Sequence, residues 1–488
     1  VADLLGIGKS GLFASKKALE VTGHNLSNVN TEGYSRQRVM QSTNNPVTTG
    51  GLIQGTGVKV DGINRFNDEF IERRLNTAIS NKNFSNTRSE QLDQVENIFN
   101  ELDSDGLNQI LNKFFNSFRE LANQPENETI RSVVRDSATL VVKDFNRIRD
   151  TLDSQAKNID KKISSTVTDI NQMLHHVSDL NEKIASIEAS QGETGDLRDQ
   201  RDLTLRHLSE QIKIHTYSDE KNRFVITAQG IGTLVTGGTV QEFGIIAKNR
   251  AESSNNMNGS VEVVLKDRPS QTITQLFKGG SLASLVKVRN EDIQKLQTDI
   301  DNIAYQFTTS VNTVHRQGFA NRKISMDIEG NPAQSDAKGP LTGIDFFKQP
   351  LGVEDASRYI ELSDKVKEDL SNISAAVAPN APGDNRVAIA ISKLQHERIL
   401  GEGSITLEEK YLQTIGSVGL ETGKARLDAE QSNGLLAQTN GIRERLAGVS
   451  IDEETANMVR FQHAYEASAK MMQAADEMFK TVLEIKRN

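Results

Sequence analysis

The chain has no cysteine and no tryptophan, and aromatic residues make up only 5% of its 488 positions. Without cysteine there can be no disulfide, thiolate zinc site or iron–sulfur cluster, and the cytosolic or exported state cannot be read from thiol chemistry. The same absence suits a chain that must unfold to cross a membrane, although chance also produces it. Apolar residues are scarce too, at 36%. That is low for a compact enzyme and fits long helical elements with little interior. No run approaches the ~18 apolar residues of a membrane helix. The formal charge of −9 argues against nucleic acid as a partner. Lys9, Lys16 and Lys17 interrupt the place where the apolar core of a secretory signal would run. If the protein leaves the cell, another route is expected.

Catalytic motifs are missing as well. Gly8-Lys9-Ser10 imitates the end of a phosphate-binding loop, but Asp3 stands where that loop needs its first glycine. The adjacent His175 and His176 point to different helix faces, and no His-x-x-x-His pair is present to hold a metal. There is no Gly-x-Ser-x-Gly elbow. The charge-dense Asp196-Leu197-Arg198-Asp199-Gln200-Arg201-Asp202 could be read as paired carboxylates for acid–base work. The plainer reading is helical i,i+4 pairing, such as Arg198 with Asp202. No enzyme, cofactor or small-molecule substrate is expected.

The positive signal lies at the two ends. Leu5, Leu12, Leu19 and Leu26 recur every seven residues, with Gly8, Ser15, Thr22 and Val29 three positions further on. Near the other end Met458, Phe461, Tyr465, Ser468, Met472, Ala475, Phe479 and Val482 follow a 3-4-3-4 spacing. Such spacing lays side chains along one seam of a helix. Two helical rods with complementary seams point to assembly. Ser450 followed by Glu453 fits a capping box that would start the second rod. The ordering entropy of the two rods, ~1–2 kcal/mol per residue, makes them marginal as a lone pair. Neighbouring copies would add the missing burial.

Between the rods the pattern changes several times. Asn28 to Tyr34 is turn chemistry, and Gly- and Thr-rich residues follow to position 62. From Ile63 to Gln191 there is one glycine and one proline, and the stretch after Pro125 could form a helix of ~60 residues. Ile212-Lys213-Ile214, Phe224-Val225-Ile226 and Val261-Glu262-Val263 read as strands. The fold expected is mainly α with an inserted β-containing domain. Terminal coiled-coil helices span 1–30 and 450–488, and an extended arm or hairpin spans 31–62. A helical bundle is built from 63–211, 281–317 and 383–449, and a β-rich outer domain from 212–280 and 318–382.

The run Asn25-Leu26-Ser27-Asn28-Val29-Asn30-Thr31-Glu32-Gly33-Tyr34 resembles the signature of bacterial flagellar rod, hook and hook-associated proteins. Its continuation Ser35-Arg36-Gln37-Arg38-Val39 is most similar to hook-associated protein type 1, the FlgK family. Gly448 to Glu454, Tyr465 to Lys470 and Glu477 to Phe479 resemble the end of the same family, and Gly383-Asp384-Asn385 resembles its interior. The resemblance implies a structural protein in a ring between hook and filament. Its partners would be further copies of itself, the hook protein, hook-associated protein type 3 and a flagellar export chaperone. It would be extracellular and exported by the flagellar type III apparatus without a cleaved signal. Leu5, Leu12, Leu19, Leu26, Met458, Phe461, Tyr465, Met472, Ala475, Phe479 and Val482 would form the assembly interface. Asn25, Asn28, Thr31, Gly33, Tyr34, Arg36 and Gln37 would form a hinge that turns the chain into the arm, with Tyr34, Arg36 and Gln37 locking it against neighbours. Rival readings are a sister axial protein of hook, distal rod or filament type, an exported adhesin-like module, and an enzyme carried on a filament scaffold.

Overall fold

The computed structural model describes residues 2–49, 52–99, 106–221, 223–247, 261–401 and 403–487. It opens with helix α1 (Ala2–Ser27) and closes with α12 (Ile451–Arg487). Between them come the ribbon strands β1 (Gln37–Thr43), β2 (Val47–Thr49), β3 (Leu52–Gln54) and β4 (Val58–Arg65). The first half of the bundle follows: α2 (Glu69–Glu96), α3 (Leu107–Asn123), α4 (Glu128–Ala189) and α5 (Gly195–Gln211). Strands β5 (Ile214–Ser218), β6 (Phe224–Ala228), β7 (Gly232–Thr236), β8 (Thr239–Val240), β9 (Phe243–Ala247), β10 (Val261–Leu265) and β11 (Arg268–Thr272) come next. Helices α6 (Gly280–Lys287) and α7 (Gln294–His315) are joined by one π-helical turn, Val288–Ile293. An irregular segment carries β12 (Ser335–Asp336), β13 (Gly339–Pro340), α8 (Ala356–Tyr359) and α9 (Asp364–Glu368), before α10 (Arg386–Lys393) and α11 (Leu407–Ala447).

Helix α4 is the spine. Its 62 residues span about 93 Å. Asn127 starts it by accepting the Thr129 N–H, and an unbroken apolar stripe keeps it packed: Val134, Val141, Phe145, Leu152, Ile159, Ile163, Ile170, Leu174 and Val177 are all buried. Helices α3 and α5 lie along it, and α11 packs on α2. Thr406 and Glu409 close a full capping box at the start of α11.

The arm is an antiparallel ribbon. β1 pairs with β4 through a bulge between Met40 and Gln41, and β2 with β3 continues toward the tip. The central strands make a four-stranded meander, β5-β6-β7-β8, and a three-stranded sheet ordered β11-β10-β9. Both lean on the second half of α4. Asn171 exchanges hydrogen bonds with the Phe243 backbone at 2.8 and 2.9 Å, and Asn181 donates to the Gly237 carbonyl at 3.2 Å.

Residues 212–280 and 318–382, expected to form one β-rich outer domain, part company here. The second segment packs on the first half of α4 and on α7 instead. Arg149 of α4 donates to Asp301 at 2.7 Å and to Asp355 at 2.8 Å. Phe346 and Phe347 join Phe114 and Phe307 in one aromatic cluster. This segment holds five of the eight prolines, which cannot donate to a strand ladder, so its only strands among the described residues are two residues long. Apolar residues of both segments share one continuous core with the bundle helices. The first strand also starts two residues later than expected, because Ile212 closes α5 as its cap.

Candidate assembly surface and the joint behind it

α1 and α12 run antiparallel. Gly8 lies against Met472 and Ser468, and Asn25 against Glu454. The face of α1 buried in this pairing is the small-residue stripe: Gly8, Ser15, Ala18, Thr22 and Asn25. Glycine permits the close approach. A Cβ at Gly8 would sit 2.8 Å from Met472 Cγ, and one at Gly11 would sit 2.8 Å from Ser468 Oγ. The small-residue edge of the seam is thus the more deeply buried one. Leu5 is exposed, and Leu12, Leu19 and Leu26 are half-buried on the flank. On α12, Ala475 and Ser468 are buried and Met458, Phe461 and Met472 half-buried, whereas Tyr465, Phe479 and Val482 stand exposed. The seam of α12 is thus used within the chain as far as Ala475, about seven turns in, and the apolar residues beyond are open.

The turn after α1 builds a polar joint. Asn25 is 1% exposed and uses its whole hydrogen-bonding capacity. Its Oδ1 accepts from the Tyr34 hydroxyl at 2.7 Å and the Gln37 N–H at 2.9 Å. Its Nδ2 donates to the Gln37 carbonyl at 2.9 Å and to Glu454 at 3.1 Å. Asn28 and Thr31 brace the turn, with Asn28 donating to the His24 carbonyl and Thr31 to Asn28 Oδ1. Gly33 has φ +82°, the left-handed region that glycine enters freely, and faces Leu203. Burial, then the nearby Asp196, Asp199 and Glu454 carboxylates, hold the Tyr34 hydroxyl above its ordinary range, so it stays a neutral donor.

Arg36, Gln37 and Tyr34, expected to lock the arm against neighbouring copies, find their partners within the same chain. Arg36 donates to Glu453 at 2.8 Å and pairs with Glu454 at 2.7 Å, across the root of α12. Its backbone N–H donates to the Ala447 carbonyl. Gln37 donates to Asp196 on α5 at 2.7 Å. This also changes the start of α12. Ser450 accepts the Glu453 N–H at 3.5 Å as expected, but the Glu453 carboxylate turns to Arg36.

The charge run on α5 belongs to this joint. Asp196, Asp199 and Asp202 recur every third residue, which puts them on one helix face toward the arm. Asp199 accepts the Ser35 N–H at 3.1 Å and pairs with Arg65 at 2.7 Å, and Asp202 takes the other end of Arg65 at 2.5 Å. Burial pushes the Asp199 carboxyl up, against the pull of Arg65 and Ser35. The expected Arg198–Asp202 pair does not form, because Arg198 reaches Glu188 at 2.6 Å. Arg65, Glu72, Arg206, Arg443 and Glu454 complete the joint and were not singled out from the sequence. Arg443 of α11 donates to the Gly33 and Tyr34 carbonyls at 3.2 and 3.0 Å, and Glu72 accepts from both Arg206 and Arg443. The spacing of the three aspartates was the one signal in the sequence that could have pointed here.

Among the described residues no group of three or more His, Asp or Glu could hold a metal ion. A paired-helix foot, a ribbon arm and a long bundle tied together by a buried polar joint describe a structural building block. A sequence model of the flagellar basal body rod FlgEFG protein C-terminal region matches residues 445–485, which contain all but the last two residues of α12. The model of the flagellar hook-associated protein FlgK helical domain matches residues 92–333. Flagellar hook-associated protein 1 of Bacillus subtilis is 28% identical over 98% of this chain and 97% of its own length. The protein of that name from Salmonella typhimurium is 23% identical over the whole of both chains. The solved structure of the flagellar hook junction protein FlgK from Burkholderia pseudomallei superposes with a TM-score of 0.62 at 15% identity, covering 78% of this chain and 100% of that one. The chain belongs to the flagellar hook-associated protein FlgK family.

Proposed function

We infer that this protein is the structural junction between flagellar hook and filament, assembled as a ring of copies. Its family is structural and flagellar. The observation that carries the assembly reading is the uncovered apolar surface of the paired helices. Leu5, Phe13, Tyr465, Met471, Phe479, Val482 and Leu483 are all exposed in the single chain. An apolar stripe of that length on a rod is unusual for a monomer and fits burial by neighbouring copies.

The same reading assigns the partners. Copies of the chain, the hook protein on one side and hook-associated protein type 3 on the other would cover the stripe, and an export chaperone would hold the C-terminal region before assembly. The finished protein is extracellular, reached through the flagellar type III apparatus. No catalytic role is proposed. Labelling the protein on intact flagella tests the reading: a band at the hook–filament boundary is expected. Label spread along the filament, or confined to the rod, would replace it with a sister axial role.

A further inference from the structure

Between α1, β1 and the root of α12 lies an open groove of about 920 Å³. Its floor is buried Ala18, Val21 and Val39. Its walls carry exposed Met40 and Phe66 and half-buried Phe461. Two arginines stand on the rim, Arg38 and Arg460, both exposed. Arg36 in the groove is taken by Glu453 and Glu454, but Arg38 and Arg460 have no carboxylate in ion-pair distance among the described residues. The groove has an apolar floor, polar walls that include Gln37, Gln41, Asn457 and the Arg36–Glu453–Glu454 cluster, and two arginines without an ion pair at its edge.

At the other end of α12 the chemistry is reversed. Met478, Phe479, Val482 and Leu483 are each 45–54% exposed and cluster on the last turns. Asp476, Glu477 and Glu484 flank them, and only Asp476 has a described ion-pair partner, Lys480 at 2.7 Å. An apolar tip with an acidic collar complements the apolar floor of the groove and the two rim arginines, Arg38 and Arg460. The tip cannot reach its own groove. Phe479 lies 18 positions beyond Phe461 on one continuous helix, about 27 Å away.

We propose that the last turns of α12 of one copy, Asp476 to Glu484, seat in the groove between α1, β1 and the root of α12 of a second copy. This rests on the assembly reading above and adds a specific contact to it. The contact is head-to-tail, so repeating it propagates an array instead of closing a twofold dimer.

The absence of native cysteine makes the test direct. A chain carrying both Met40→Cys and Phe479→Cys is expressed in place of the wild type, hook–filament structures are isolated, and the thiols are oxidised. Both sites are surface positions, so folding is expected to hold, which circular dichroism checks. A disulfide requires Cα atoms within about 7 Å, so any bridge joins two copies. A ladder of covalent multimers on a non-reducing gel is expected, and none from the control pair Leu351→Cys with Phe479→Cys. Junctions that contain the protein but give no ladder would overturn the groove–tip contact and leave the junction assignment standing. Hook–filament structures isolated from wild-type cells that lack the protein would overturn the assignment and this contact with it. Charge reversal supplies a second readout. Arg38→Glu with Arg460→Glu should lower incorporation about tenfold or more, and adding Glu477→Lys with Glu484→Lys should restore it. Loss without restoration would count against the pairing.

Discussion

Replacing Asn25 by alanine tests whether the polar joint holds the terminal helices to the bundle. The side chain satisfies four groups at once: the Tyr34 hydroxyl, the Gln37 N–H, the Gln37 carbonyl and Glu454. Tyr34 keeps His24 at 3.1 Å, and Glu454 keeps Arg36 at 2.7 Å. The Gln37 N–H and carbonyl lose the side-chain partner they have here, and residue 37 is buried. Each buried polar group left unpaired costs about 1–3 kcal/mol, so the substitution should cost about 2–6 kcal/mol. That cost falls on the docking of α1 and α12 and not on the bundle, whose core lies along α4. Hydrogen exchange on the purified monomer separates the two. Wild type should show a gradient, with the roots near Asn25 and Glu454 protected and the far turns of both helices nearly free. In Asn25→Ala the root amides should lose at least about thirtyfold protection, the equivalent of 2 kcal/mol, while α4 amides stay unchanged. A loss under threefold at the roots, or an equal loss in α4, would refute the reasoning.

Three further outcomes follow from the geometry. Phe479→Asp places a charge on a residue that is 52% exposed in the single chain, so melting of the bundle should match wild type while assembly fails; loss of bundle stability would show that the helix end packs on its own chain. Gly33→Val forces a β-branched residue to φ +82° with its Cβ about 3.2 Å from Leu203, at ~1–2 kcal/mol or more for the backbone alone. Export should continue with filament subunits leaking from cells whose hooks stay bare, and normal swimming would argue against a hinge at this turn. His315 is fully buried, donates from Nδ1 to the Ile344 carbonyl at 2.7 Å and accepts the Ser374 N–H at Nε2, and burial lowers its pKa from 6.5 to about 4. The unfolded chain therefore binds the extra proton first. Stability is fully present above pH 6.5 and falls as pH drops toward 4, by on the order of 3 kcal/mol in total. Chemical denaturation from pH 7 to 4 should show this slope reduced in His315→Gln, and an unchanged slope would assign the acid loss to the carboxylates.

Local patterns carried much of the architecture. The 3.6-residue recurrence after Pro125 predicted a helix of ~60 residues, and α4 has 62. The period-two runs at Phe224 and Val261 lie in β6 and β10. The Asn-Thr-Glu-Gly-Tyr run marked the end of α1, because a residue that tolerates positive φ is legible wherever a helix must stop. The partition of the outer segments was not legible. Alternation tells that a strand forms but not which stretch of a 93 Å helix it leans on, and residues 318–382, with five prolines, make only the two-residue pair β12 and β13 among the described residues.

The sequence by itself determined that two heptad helices end the described chain and that a turn rich in Asn and Gly leaves the first of them, since helix period and backbone tolerance are properties of neighbouring residues. Only the tertiary structure decided which stripe of α1 faces α12. The seam read from the sequence has two edges, leucines on one and Gly8, Ser15 and Thr22 on the other, and helix period treats them alike. Close approach at Gly8 and Gly11 chose the small one and left the leucines on the flank. The same holds for Arg36 and Asp199. Their charge was plain in the sequence, but an ion pair needs a partner within about 4 Å, and whether that partner belongs to this chain or to a neighbour is set by how residues hundreds of positions apart are brought together.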